Sequence, residues 1–433
     1  RASLALDQQT RNEGNIAAHG GGVGLVGTSP DATAEVILTN GSSIEDNEAV
    51  DAMGQGGGIY VRGYGTARLV NGEVSNNRAR WAGGGIALDG WGGTFAALHI
   101  NPPAAPDPGS PVVLAGNVAG QTAFSSSEGF GGAIYSKFGR VDITAPDVGQ
   151  FTTMLLQNEA NHGGAIYVMG QASDTVVTYV DIRNAWIAGN IAHGKGGAFH
   201  SRNRVQWQIS HSSNGECLLA GEALPCSVIA GNEARNETTP GERAGGVGYL
   251  DNSVGTPGGT FRFFRTLFID NDDVDGTAAI AAAFYDSALI FERCVFSGNR
   301  AGSGGGALIA NAAGMDTRFA FNTVLGNEVD ELFFMDGGTL LTQGSILWDP
   351  GKPVWTTVNG ASMLHQACLI AHTDVDLPNG VTVVEPDLDS RFAPRGGSPA
   401  IDHCDELGLV PMTDLYRQAA YDQWPRTGIP GLF

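Results

Sequence analysis

The chain has 433 residues, of which 64 are glycine, and its formal net charge is −21 at pH 7. The glycines follow no strict three-residue period, which excludes collagen, and 42% hydrophobic with 16% charged residues argues against a disordered glycine-rich polymer. The 24 lysines and arginines are spread along the whole chain and no stretch is long and apolar, so we expect neither a nucleic-acid partner nor a membrane-spanning segment.

Two short motifs alternate along the chain up to about residue 327. One is a glycine pair, a small residue and an apolar burst, as in "GGGIYV" from Gly56, "GGAIYS" from Gly131 and "NHGGAIYVMG" from Asn161. The other is an apolar residue, two further residues and an asparagine. Its asparagines are Asn47, Asn77, Asn117, Asn158, Asn190, Asn232, Asn271, Asn299 and Asn327. Motifs that recur in this way indicate a repeat architecture.

The repeat length predicts the fold class. The shortest spacing, from Asn271 to Asn299, is 28 residues, which suffices for three strands of about five residues with their turns. Such a unit buries its apolar face only by stacking on its neighbours. We therefore predict an all-β, right-handed parallel β-helix of about ten or more coils. A β-propeller, with blades of about 40–50 residues, is the less favoured alternative. The asparagines should stack at a turn and hydrogen-bond from coil to coil.

The repeats also divide the chain. Residues 1–340 are predicted to form the coils, with loop insertions near 101–111, 211–226 and 235–243. Residues 341–433, where the motifs fade, are predicted to hold the last coils and a C-terminal cap, because a solenoid must shield its open strand edges.

The chain has five cysteines. Cys217 and Cys226 close a short loop, and a disulfide between them would indicate an oxidising compartment. Cys368 and Cys404 are a second candidate pair, which leaves Cys294 as a buried thiol. Alternatively, all five are free and packed.

The paired motifs resemble the repeats of polymorphic outer membrane proteins and related secreted bacterial right-handed β-helix proteins, over roughly residues 15–330. The C-terminal region is similar to the terminal signature of β-helix surface proteins with variable anchors. The matching positions are Gly397, Ser398, Pro399, Ala400, Ile401, Asp402, Thr413, Asp414, Leu415 and Arg426. Tyr416 and Arg417 depart from that signature. The resemblance implies a secreted protein or one on a bacterial cell surface, and it implies no defined reaction.

Two functions from different classes follow. The first is a non-catalytic binding, adhesion or structural role, with a glycan or protein ligand. The alternative is a polysaccharide lyase or glycoside hydrolase acting along the outer face of the helix. A lyase would need a lysine or arginine base near carboxylates, and the only lysines are Lys137, Lys195 and Lys352. A hydrolase would need paired carboxylates, whose pairing depends on the alignment between coils.

The glycine motif contains the candidate ligand-binding residues. Strand alternation places the residue between two core positions on the outer surface. We expect an exposed stripe there that stacks from coil to coil and binds sugar rings or a protein partner. Its members are Tyr60, Tyr135, Tyr167, His200 and Tyr249. The same alignment places Ala87, Ala281 and Leu308 outward. The alternative is that the rings stack on one another or lie under inserted loops.

The sequence also contains two candidate metal sites. Asn271, Asp273 and Asp275, followed by Gly276, match the first half of a calcium loop, although the twelfth position is Ala282. The alternative is a solvated acidic turn. His162 and His193 precede glycine motifs on consecutive repeats and could stack to bind a transition metal. The alternative is a ladder of turn residues hydrogen-bonded to the backbone. No other cofactor is expected.

Overall fold

The computed structural model describes residues 2–400 apart from short gaps. The gaps are 8, 91–94, 101–110, 121–127, 145–150, 172–176, 212–216, 220–221, 238–243, 253–257, 277, 285–286, 303–305, 313–315, 366–368, 374, 376, 378–380, 390–391 and 393.

The chain winds through four parallel sheets in a constant order, and the described coils from Thr317 onward contain strands of the first, second and fourth sheets. One coil consists of Ala34–Leu38 in the first sheet, Ser42–Glu45 in the second, Glu48–Ala49 in the third and Ile59–Gly63 in the fourth. Each strand pairs with the equivalent strands of the coils before and after it. The predicted parallel β-helix is therefore confirmed, and its right-handed sense is the one expected for parallel crossover connections. The described residues form strands and turns and contain no helix.

The strand bounds show the regularity of the coil. The first sheet contains Ala2–Leu6, Ala34–Leu38, Gly65–Leu69, Ala97–Ile100, Arg140–Ile143, Thr178–Arg183, Val205–Ser210, Thr260–Phe264, Ala288–Glu292, Thr317–Ala320, Thr339–Gln343 and Ser362–His365. The second contains Arg11–Glu13, Ser42–Glu45, Gly72–Ser75, Val112–Ala115, Thr153–Leu156, Ala185–Ala188, Val228–Ala230, Leu267–Ile269, Val295–Ser297, Thr323–Leu325, Ile346–Trp348, Leu369–Ala371 and Val381–Val383. The third contains Ile16–Ala17, Glu48–Ala49, Arg78–Ala79, Val118–Ala119, Glu159–Ala160, Ile191–Ala192, Glu233–Ala234, Asp272–Asp273 and Arg300–Ala301. The fourth contains Val23–Gly27, Ile59–Gly63, Ile86–Asp89, Ile134–Lys137, Ile166–Met169, Phe199–Arg202, Gly248–Asp251, Ala278–Phe284, Ala307–Ala312, Glu331–Asp336 and Trp355–Val358.

The core is a column of apolar side chains inside the coils. The glycine motif supplies one row of it, in which Ile59, Ile86, Ile134, Ile166 and Phe199 lie in register on successive strands. Towards the C-terminal end phenylalanines replace the aliphatic residues, and the Phe268 and Phe296 rings stack with centroids 4.8 Å apart. Each coil thus buries its apolar face against the next one, as expected of a repeat too short to form a core alone.

The motif asparagines form one continuous ladder. From Asn47 to Asn327, each side-chain amide donates to the Oδ1 atom of the next asparagine, at 2.8–3.1 Å. The same nitrogen donates to a backbone carbonyl of the preceding coil, as Asn158 does to Leu114 at 3.0 Å. The ladder ends at Asp349, whose carboxylate accepts from the Asn327 side chain at 3.0 Å. The predicted coil-to-coil asparagine ladder is confirmed.

The glycine pairs permit close contact between coils. Gly163 has a positive φ of 65°, a conformation that side chains disfavour. A Cβ atom on Gly164 would lie 2.2 Å from the carbonyl oxygen of Gly197 on the next coil. The pair therefore combines a turn that favours glycine with a contact that only glycine can make.

The structure describes part of one predicted insertion and three of the five cysteines. Residues 211–226 contain a two-stranded antiparallel hairpin, Cys217–Leu219 with Glu222–Leu224, closed by the Cys217–Cys226 disulfide. Cys294 is a buried free thiol. Cys368 and Cys404 lie outside the described residues, as do residues 101–110 of the insertion predicted near 101–111 and residues 238–243 of the one predicted near 235–243.

Strands after residue 340 continue the first, second and fourth sheets, as far as Val381–Val383 in the second. The start of the terminal signature packs against these last coils. The Ser398 hydroxyl donates to the Pro386 carbonyl and accepts from the Ala400 amide, and Ala400 is buried in a cluster with Ile346 and Ile370. The signature positions from Ile401 to Arg426 lie outside the described residues.

Candidate functional site

The predicted tyrosine stripe lies in register, but it is buried. Tyr135 pairs with Tyr167, Tyr167 with His200, and His200 with Tyr249 on successive strands of the fourth sheet, which confirms the alignment. The expected exposure is wrong, because only 1% of Tyr135 and 2% of Tyr167 is accessible to solvent. Tyr60, His200 and Tyr249 are also buried. These rings form part of the interior of the protein.

Bulky side chains from the preceding turns explain this burial. Trp81 and Phe130 pack with Tyr60, Tyr135 and Tyr167 in a second apolar cluster on the outer face of the fourth sheet. We call these five residues the outer aromatic cluster. The rings of Phe130 and Tyr167 lie 4.9 Å apart, and those of Tyr135 and Tyr167 stack at 5.8 Å. Burial raises the pKa of both tyrosines well above the ordinary value. They are therefore held protonated.

The alignment fails beyond Tyr249. Ala281 pairs with Gly248, so it lies inside the core, and Ala282 takes the outward position beside Tyr249. Leu308 is also a core residue, because the pairing of the next two strands shifts at a bulge between Ala278 and Ala281. The placement of Ala281 and Leu308 on the outer surface is therefore wrong.

His200 is a neutral imidazole enclosed by rings. Its ring centroid lies 4.7 Å from that of Tyr167 and 5.0 Å from that of Tyr249. Burial lowers the pKa of His200 well below its usual value, and the positive charge of nearby Lys195 acts in the same direction. Lys195 in turn donates to the Tyr249 hydroxyl at 3.2 Å.

The structure does not bring His162 and His193 together. The backbone amide of Lys195 donates to Nδ1 of His162 at 3.3 Å, so Lys195 occupies the position on the next coil that pairs with His162. The two ring nitrogens of His193 each lie 2.8 Å from a carboxylate oxygen, one of Glu159 and one of Glu237. The two additional residues in "AHGKGG", Gly194 and Lys195, separate the two histidines.

The side chains of the three candidate calcium ligands do not converge on one site. The side chain of Asn271 is used by the ladder, where its Oδ1 atom accepts from Asn232 at 3.0 Å. Asp273 is buried and accepts from the Ala278 amide at 3.1 Å, whereas Asp275 is exposed. Asn271 is therefore not available as a ligand. Across the described part of the chain, no group of three or more His, Cys, Asp or Glu side chains is placed to hold a metal ion.

The outer face of the first sheet carries a polar arrangement that the sequence reasoning missed. Six hydrogen-bonding side chains lie in register on consecutive strands. We call them the polar column: Arg68, His99, Asp142, Asp181, Gln208 and Arg262.

The two central carboxylates of the column are held by neighbouring polar side chains. Nδ1 of His99 lies 3.1 Å from Oδ2 of Asp142, and Nε of Arg140 donates to the same oxygen at 2.6 Å. Arg183 donates to both oxygens of Asp181, at 3.1 and 2.7 Å. Burial raises the pKa of Asp142, but the hydrogen bonds from His99 and Arg140 outweigh it, so this pKa lies below its usual value.

The centre of the column is less accessible to solvent than the positions at either side. Asp142 is buried, Asp181 and His99 are half-buried, and Arg68 and Gln208 at either side are exposed. The ring of Tyr179, two residues before Asp181 on the same strand and face, is 55% exposed. Tyr179 is thus an exposed aromatic residue on the first sheet, whereas the predicted stripe lies on the fourth sheet.

Another polar cluster lies at the C-terminal ends of three neighbouring strands of the fourth sheet. Nζ of Lys137 and Nε of Arg62 are each 3.8 Å from Asp89, which also accepts from the Tyr60 hydroxyl at 3.2 Å. Burial raises the pKa of Tyr60 to about 12. This cluster has bases but a single carboxylate.

A recurring triplet gives the sequence signal for the polar column. The triplets "LHI", "VDI", "VDI" and "WQI", which begin at Leu98, Val141, Val180 and Trp207, each place one polar residue between two apolar ones. The flanking residues point inward and the middle one outward, as strand alternation requires.

Comparison with known proteins gives one match. Residues 293–311 match the Chlamydia polymorphic membrane protein repeat. This segment runs from the strand Val295–Ser297 through Arg300–Ala301 into the strand Ala307–Ala312, which is one passage from the asparagine motif to the fourth sheet. Neither the curated proteins nor the solved structures gives a significant match. In the described ranges, no helix is long and apolar enough to span a bilayer. The chain is thus a parallel β-helix that is similar, over this repeat, to the Chlamydia polymorphic membrane proteins.

Proposed function

We propose that the protein is a secreted or cell-surface β-helix with a non-catalytic role in binding or adhesion. The match to a repeat of membrane proteins supports a location at the cell surface. The Cys217–Cys226 disulfide supports an oxidising compartment, where such bonds persist.

The observation that carries a non-catalytic role is the position of the groups with strongly shifted pKa values. Catalytic groups with shifted pKa values usually lie in a cleft open to substrate. Here His200, Asp273 and Cys294 are buried among fold-forming residues, and burial is the main cause of each shift. The carboxylates of Asp142 and Asp181 on the open face of the first sheet are instead compensated by Arg140 and Arg183.

A glycoside hydrolase is the second candidate, favoured by one observation. Asp142 and Asp181 lie in register on neighbouring strands, which in a sheet are about 4.8 Å apart, and retaining glycosidases hold two carboxyl groups about 5–5.5 Å apart. Such an enzyme also needs a carboxylic acid with a raised pKa. The pKa of Asp142 is lowered and Asp181 is held by Arg183, so this pair is better suited to accepting hydrogen bonds than to donating a proton.

The experiment that tests the proposal compares retention with cleavage. The purified protein is incubated with a panel of neutral and acidic polysaccharides and with intact host or neighbouring cells. Bound protein, new reducing ends and the absorbance of unsaturated products are all measured. We expect retention on at least one surface without any product. Product release that disappears in the Asp181→Asn variant would establish the hydrolase, and retention on no surface would reject a binding role.

A further inference from the structure

We infer that the polar column and Tyr179 form a binding platform for a linear, uncharged polysaccharide. The inference rests on the proposed binding function and assigns it a surface and a class of ligand.

The order of the side chains in the column suits a polyhydroxylated ligand. Both ends are guanidinium donors, Arg68 and Arg262, and the two central positions are carboxylate acceptors. His99 and Gln208, between them, can donate and accept. The accessible head groups, those of Arg68, His99, Asp181, Gln208 and Arg262, are planar and bear two or more polar atoms, so neighbouring hydroxyl groups can find partners of the right kind.

Tyr179 adds the apolar component that sugar binding requires. Its side chain is 55% exposed although it lies on a regular strand, so a large part of it is accessible to a ligand. It pairs in register with Gln206 on the next strand. An exposed aromatic face beside hydrogen-bonding groups gives a ring for the apolar side of a sugar and polar atoms for its hydroxyls.

The charge of the protein favours an uncharged ligand. The whole chain carries a formal charge of −21, which repels polyanions at long range. The central carboxylates Asp142 and Asp181 are already matched by Arg140 and Arg183, so the column presents no surplus negative charge for a cationic ligand either. Hydroxyl groups, which donate and accept without net charge, are the remaining complement.

The geometry selects a linear chain. The six positions follow the axis of the β-helix at intervals of about 4.8 Å, so they span about 24 Å. One polar side chain per coil at a constant interval matches a polymer whose hydroxyl groups also repeat along a line.

Affinity electrophoresis on the complete chain tests the inference. Native gels contain hydroxyethyl cellulose, glucomannan, dextran or, as the acidic comparison, polygalacturonate. We expect at least one neutral polysaccharide to retard the protein. Tyr179→Ala and Gln208→Ala should each weaken that binding at least tenfold. The matched control is Leu364→Ala, because Leu364 is 56% exposed on the same sheet face but lies outside the polar column. It should bind as the parent does.

Each other outcome overturns the inference in a distinguishable way. Retardation by polygalacturonate alone would show an acidic ligand. Neutral binding that survives both substitutions would place the site elsewhere and leave the proposed binding function intact. If no gel retards the protein but cells still retain it, the ligand is not one of these polysaccharides. If neither the gels nor the cells retain the protein, the proposed binding function is rejected too. Thermal melts check the fold of each variant. If Tyr179→Ala does not fold, the binding of Gln208→Ala alone tests the inference.

Discussion

At the scale of single residues, Asp273 shows how burial alters a side chain. Its Oδ2 atom accepts from the Ala278 amide at 3.1 Å, and a Cβ on Gly276 would lie 1.8 Å from that oxygen. Burial, reinforced by the neighbouring charges of Asp272 and Asp275, raises the pKa of Asp273 to about 7. The carboxyl group is therefore stable in this turn mainly when it is protonated.

This pKa predicts a pH-dependent effect of Asp273→Asn. Because the folded-state pKa of about 7 lies above the unfolded value of about 3.9, the wild-type side chain costs stability as pH rises from about 4 to 7. The amide imitates the protonated acid at every pH. We expect the variant to gain up to about 4 kcal/mol at pH 8 and nothing below about pH 4. Urea unfolding across this range measures it, and a pH-independent difference would contradict the assignment.

The burial of the outer aromatic cluster could not be predicted from the alternation of residues along single strands. Period-two alternation correctly predicted that Tyr135, Tyr167 and His200 share a face. It could not predict their burial, because the covering rings of Trp81 and Phe130 come from turns whose direction a strand pattern does not encode. Asn271 was misinterpreted for a related reason, since its partner Asn299 lies one coil away.

At the scale of structural elements, the asparagine ladder and the glycine pairs connect each coil to the next. The ladder was predictable because the same residue recurs at the same turn. The polar column was harder to find, because only the alignment of strands shows that His99, Asp142 and Asp181 are neighbours. Beyond Tyr249 the motif spacing misplaced Leu308, since a bulge changes the register between the strands Ala278–Phe284 and Ala307–Ala312.

Asn158→Ala should be strongly destabilising. Asn158 donates to Asn190 and to the Leu114 carbonyl and accepts from Asn117, all in the buried interior. Unsatisfied buried groups cost about 1–3 kcal/mol each, so we expect a loss of about 2–4 kcal/mol in the free energy of unfolding. Asn15→Ala is the control, since Asn15 is exposed at the ladder's start. Equal losses from the two substitutions in urea unfolding would argue against the ladder's stabilising role.

Gly164→Ala tests the close approach of coils. The added methyl group would lie 2.2 Å from the Gly197 carbonyl oxygen, so the coils must separate locally. We expect a loss of at least about 2 kcal/mol, within the range for overpacked sites. A methyl group on Gly24, also in the fourth sheet, would meet nothing within 4 Å, and Gly24→Ala should be nearly neutral. Thermal melts of both variants measure the difference, and a neutral Gly164→Ala would show that the coils can readjust.

At the scale of the whole molecule, stacking determines where function can reside. The coils align every outward residue of one sheet into a row, so a single polar position per repeat becomes a surface about 24 Å long. On the fourth sheet the rows are covered by aromatic side chains, and on the first sheet they remain open. The fold class was predictable from the repeat, whereas the choice of face depended on which rows are covered.

The central claim is that ligand binds to the open first sheet and leaves the aromatic row of the fourth sheet buried. Hydroxyl-radical footprinting read by mass spectrometry, with and without the retarding polysaccharide, tests it most directly. We predict that Tyr179 is oxidised in the free protein and protected by the polysaccharide, while Tyr135 and Tyr167 stay unreactive in both states. Oxidation of Tyr135 and Tyr167 that the polysaccharide suppresses, with Tyr179 unchanged, would contradict the account.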